Sequence, residues 1–146
     1  MPRNSIAYDD DFFAWTQEQA RLLRASDFSQ VDIENVVEEL ESMGKSVRRE
    51  LRNRLALLIM QLLKWQHQPV FRSRSWSSTI REQRGQILEL LDESPSLGVV
   101  VTDGLTTIYA SAIRKAARET GLAETTFPAL CPFTAEQILA DDFMPE

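Results

Sequence analysis

An all-α fold is predicted, a single-domain helical bundle of four to five main helices with a short C-terminal helix. Three observations predict it. Apolar residues recur at three- and four-residue steps over most of the chain, the spacing that lines one face of a helix. Residues suited to helix starts and glycines suited to helix ends fall between those runs. The β-branched run Val99, Val100 and Val101 has no second strand candidate to pair with, so a sheet is not expected.

The elements follow in order. Phe12, Trp15, Gln19 and Leu22 share a face after Asp9, Asp10 and Asp11, whose charges suit a helix N-terminus, and a first helix is expected over residues 10–23. Ile33, Val36, Val37, Leu40 and Met43 repeat the spacing. Ser29 with Asp32 is spaced like a capping box and Gly44 stands where a C-terminal cap belongs, so a short second helix ending at Met43 is expected. The third helix should be the longest and most buried, with Val47, Leu51, Leu55, Leu58, Leu62 and Trp65 in one stripe. Pro69 ends it, because the residue before a proline is pushed away from helical angles, and a surface loop follows over residues 69–75.

A fourth helix is expected over residues 76–91, with Trp76, Ile80, Gln83, Ile87 and Leu91 on one face and Ser75, Ser77 and Ser78 available for capping. Pro95 between Ser94 and Ser96 marks a stop and a restart. Leu97, Val101, Leu105, Ile108, Ala112 and Ala116 then keep a helical period as far as Gly121, and this outweighs the strand that the valines suggest. Pro128 and Pro132 frame a loop, and Thr134 with Gln137 marks a last short helix. Residues 1–8 form an N-terminal arm, and residues 122–146 a loop and short helix packed on the bundle.

Charge is sorted along the chain. Between Tyr8 and Met43 ten acids face two bases, whereas between Gly44 and Leu90 ten bases face three acids. A tight turn at Gly44 would bring Lys45, Arg48, Arg49 and Arg52 back against Glu38 and Glu41, and such internal pairing is expected over phosphate binding. The net charge of −6 also disfavours nucleic acid as a partner. No apolar run approaches the ~20 residues of a membrane span, and the N-terminus lacks the apolar run that export needs. No membrane association and a cytoplasmic location are therefore expected. Cys131, the lone cysteine, is expected to be buried rather than reactive.

Catalytic and metal patterns are absent from the sequence. Glu34, Glu38 and Glu41 share a helix face, but the only histidine, His67, follows Lys64 rather than a glutamate by three residues, so the carboxylate bundle site for paired metals is missing. No phosphate loop, nucleophile elbow or paired-cysteine site occurs. No enzyme activity, cofactor or metal is expected. The one candidate ligand site is an interleaving of cations and aromatics over residues 64–84, comprising Lys64, His67, Arg72, Arg74, Trp76, Arg81 and Arg84 with Trp65 and Phe71 among them.

Several runs together resemble a known family. Tyr8, Asp9, Asp10, Asp11 and Phe12 with Trp15 form the first, and Asp32 through Ser42, Met43 and Gly44 the second. Lys64 and Trp65 with Ser75, Trp76, Ile80 and Arg84, then Ser94 to Leu97, then Cys131, Pro132, Phe133 and Thr134 extend the likeness over nearly the whole chain. The chain resembles the domain-of-unknown-function family numbered twenty-nine, which is bacterial and common in cyanobacteria. The resemblance implies an all-helical domain and a helix through Val99 to Val101, and brings no assigned activity or site residue. The expected function is thus a helical interaction or scaffold protein that associates with itself or another protein, without catalytic chemistry. The alternative is a binder of an anionic ligand or nucleic acid through residues 64–84.

Overall fold

Asp11 opens the first helix, its carboxylate accepting from the Ala14 backbone N–H at 3.0 Å. In the computed structural model, which describes residues 7–146, this helix is α1 (Phe12–Arg24). α2 (Ile33–His67), α3 (Arg74–Glu93), α4 (Gly98–Thr120) and the short α5 (Ala135–Leu139) follow, and no strand occurs among the described residues. The fold is all-α. Of the expected N-terminal arm, only residues 7 and 8 fall within the described residues.

The described residues up to Ser46 form one compact unit and Val47–Glu146 a second. The first is small. Trp15, Gln19 and Leu22 of α1 are its buried residues together with Val31, and Asp32 holds them in register with the start of α2. The Trp15 indole N–H donates to the Asp32 carboxylate at 3.1 Å, and the Asp32 backbone N–H donates to the Gln19 side-chain oxygen at 2.7 Å. Asn35 donates to the same carboxylate at 2.8 Å. Asp32 itself therefore caps α2; Ser29 lies in the preceding turn, Phe28–Gln30, where its hydroxyl donates to Asp27.

In the second unit Leu51, Leu55, Leu58, Leu62 and Leu63 of α2 meet Ile80 and Ile87 of α3 and Val101, Ile108, Ala112 and Ala116 of α4. Phe127, Phe133 and Ile138 close the core from the C-terminal segment. The valine run is helical, as its phase with Leu105 and Ile108 required. Gly121 ends α4 with φ 75°, a left-handed conformation that glycine adopts without a Cβ clash. Thr134 and Gln137 form the capping box at the start of α5. The stretch Pro95–Thr120 also passes the length and composition test for a membrane span, yet α4 supplies Val101, Ile108, Tyr109, Ala112 and Ala116 to the protein core.

Several expectations are corrected. α2 is helical without a break through Gly44, so the second and third helices foreseen from the sequence are one. With no turn at Gly44 there is no fold-back to pair the arginines with Glu38 and Glu41. Among the described residues the ion pairs are Arg21–Glu18 at 2.6 Å and Arg54–Glu50 at 3.0 Å, each within a single helix. Between α2 and α3 the expected surface connection is present and contains a 3-10 turn at Pro69–Phe71, but α3 starts earlier, at Arg74, and Ser73 rather than a later serine caps it by accepting from the Trp76 N–H.

Candidate functional site

Residues 64–84 are brought into contact only in part. The end of α2 carries Lys64 and Trp65, and the turn at Pro69 returns Arg72 to them. Arg72 Nε donates to the Trp65 carbonyl at 2.7 Å with its guanidinium 5.0 Å from the Trp65 ring, a cation placed where the last helical carbonyls need one. Lys64 Nζ lies 4.5 Å from the centroid of Trp76, which the capped start of α3 presents. His67 packs edge-on against Phe127 at 4.9 Å, and its buried Nε2 makes no hydrogen bond among the described residues.

Arg84 departs furthest from the expected open cluster. It is 2% exposed, and its guanidinium donates to the carbonyls of Ile138 at 2.8 Å and Gln137 at 3.3 Å, with Asp141 at 3.5 Å. Burial lowers its pKa from the ordinary arginine value, and the nearby Asp141 and Asp142 charges oppose that shift. Arg74 and Arg81 are exposed and make no ion pair among the described residues. Arg81 and Arg84 line a cleft of about 230 Å³ with Asp141 and Asp142, so its two cations stand beside two acids.

Two of the other clefts in the second unit are lined by chemically distinctive side chains. One, of about 420 Å³, is bounded by Leu105, Tyr109, Ile113, Leu130 and Cys131. Tyr109 donates to the Pro128 carbonyl at 2.6 Å, and burial pushes its phenol up to about 12, so it stays protonated. Burial also raises the Cys131 thiol, which keeps it from the reactive thiolate form. The other cleft, of about 360 Å³, is flanked by Arg48 and Arg52 of α2 and floored by Leu97, Val99 and Val100. Asp103 lines it as well but forms no ion pair with either arginine.

The first unit presents a different surface. Ile33, Val37, Leu40 and Met43 follow one row of α2 and are 55%, 46%, 62% and 64% exposed. Glu34, Glu38 and Glu41 flank that row, all exposed. They gather no further metal-ligating side chain: no group of three or more His, Cys, Asp or Glu able to hold a metal occurs among the described residues. On the opposite side Tyr8 donates to Glu39 at 2.9 Å and stacks edge-on against Phe12 and Trp15. The Glu39 hydrogen bond is the main cause that raises the Tyr8 pKa.

Asp32 makes the first unit acid-sensitive. The Asn35 side chain, then the Trp15 indole, hold its carboxyl below the usual value of 3.8 against the opposing effect of burial. A depressed carboxylate contributes stability above its unfolded pKa and loses it as pH falls through the folded one. Amide exchange in α1 is therefore expected to accelerate as pH drops below about 4, after correction for intrinsic exchange rates. Asp32→Asn should flatten that dependence.

Sequence reasoning placed the site at residues 64–84 and overlooked the Arg48–Arg52 cleft, since only the fold brings residues 97–100 beside α2. A family model described as "Domain of unknown function DUF29" matches residues 7–144. No curated protein and no solved structure matches the chain.

Proposed function

The chain belongs to the DUF29 family, and on that footing we propose that it is a helical interaction module that works by associating with a second copy of itself. The observation that carries this is the uncovered apolar row on the first turns of α2, Ile33, Val37, Leu40 and Met43. A helix normally turns such a row to a core, and a row left in water marks a surface that a partner covers. Full burial of one such side chain contributes about 1.5–3 kcal/mol, so four half-exposed ones offer roughly 3–6 kcal/mol. That is comparable to the cost of association, about 4 kcal/mol at its lowest, so the row alone holds only a weak pair and its charged flanks must contribute. The contacts over residues 64–84 favour this function over an anion site there, because Lys64, Arg72 and Arg84 already have partners.

Leu40→Asp with Met43→Asp tests it. Sedimentation velocity over a concentration series should show an oligomer for the parent protein and a monomer for the double variant. Thermal melts should be nearly unchanged, since both positions are exposed. A parent protein that stays monomeric throughout the series refutes self-association.

A further inference from the structure

Resting on that self-association, we infer that the acidic apolar face of α2 in one copy docks into the Arg48–Arg52 cleft of a second copy. The cleft has what an amphipathic helix needs, an apolar floor with charge at its edge. Leu97, Val99 and Val100 form the floor, and Val99 is left 56% exposed. Arg48 and Arg52 stand one helical turn apart on the same face of α2, and neither has an ion partner among the described residues. Two arginines one helical turn apart at an open apolar floor favour a partner with carboxylates at matching spacing.

The first unit carries that complement. Glu34 and Glu38 are four residues apart, as Arg48 and Arg52 are, so both pairs step by about 6 Å along their helices. Between and beside them Ile33, Val37 and Leu40 supply the apolar contact. The docking is between copies: α2 is one helix from Ile33 to His67, with no turn at Gly44. The minus-rich and plus-rich stretches of the sequence are then neutralised across an interface. Each copy carries one of each surface, and reciprocal use closes a pair.

The test is a charge exchange, read by sedimentation and by light scattering. Arg48→Glu with Arg52→Glu, and separately Glu34→Lys with Glu38→Lys, should each weaken self-association about a hundredfold, because like charges then meet across the contact. An equimolar mixture of the two variants should recover it, since each then offers the surface the other lacks. Rising salt should weaken the parent assembly. Thermal melts check that each variant is folded. If both variants associate as the parent does, or if the mixture associates no better than either alone, the cleft is not the docking site. Should Leu40→Asp with Met43→Asp still dissociate the parent assembly in that case, self-association through the apolar row stands and only its partner surface is refuted. A parent protein that never associates sinks both.

Discussion

Replacing Arg84 with methionine is expected to lower the free energy of unfolding by about 3 kcal/mol, a large change for a residue that makes no ion pair. The side chain is buried on α3 and its donors go to main-chain oxygens at the end of α5, Gln137 and Ile138, and just beyond it at Asp141. Ile138 is one of the carbonyls that a helix leaves without an intrahelical partner at its C-terminus, whereas the Gln137 carbonyl also accepts from the Ala140 N–H at 3.3 Å. Methionine has a similar volume and fills the space beside Phe143, which lies 6.0 Å from the guanidinium, but it donates nothing. The cost is therefore chiefly that of the orphaned Ile138 carbonyl, on a residue buried in the core, rather than of a cavity. Arg84→Lys should recover little of it, because one ammonium cannot span carbonyls that a planar fork reaches together. Urea denaturation gives the magnitude. Hydrogen exchange gives the location, with protection lost first over residues 135–143. A variant within about 0.5 kcal/mol of the parent, the range of an ordinary surface change, would show that the clamp contributes nothing net.

Trp15→Ala is expected to cost about 3–5 kcal/mol and to act on the first unit alone. Trp15 is the largest of the few side chains buried there, it packs against Tyr8 at 4.8 Å and Phe12 at 5.8 Å, and its indole anchors Asp32. With so small a core no neighbour can move in to fill the void. Protection should collapse over α1 while α3 and α4 keep theirs, because the core they share is built from other residues. Trp15→Phe keeps most of the ring and loses the hydrogen bond, and should cost about 1 kcal/mol. Equal loss of protection in both units would show that they unfold as one.

How much of this was legible in the sequence depends on the element. Gly121 and the Thr134–Gln137 box sit at changes of pattern and carry their geometry in their own chemistry, so α4 and α5 ended and began where expected. Gly44 does not end the helix. Glycine costs about 1 kcal/mol inside a helix, a penalty too modest to stop one whose apolar phase continues. The contrary signal was phase: Ile33, Val37, Leu40, Gly44, Val47 and Leu51 step by four and three without slipping, which a fold-back would have reset. The pairing of Arg48 and Arg52 with Glu38 and Glu41 failed with the turn that it required. Arg84 was grouped with surface cations although it stands between Ile80 and Ile87 on the buried stripe of α3, at i+4 and i−3. A cation on an apolar stripe announces a buried clamp, but its targets lie more than fifty residues downstream and no local pattern names them.

The Arg84 clamp addresses backbone oxygens and ignores the side chains that hang from them. Residue 141 is thus free to drift, so long as the segment keeps its path, while position 84 has no substitute among the twenty amino acids with the same reach and planarity. Selection on this corner of the molecule would fall on one codon.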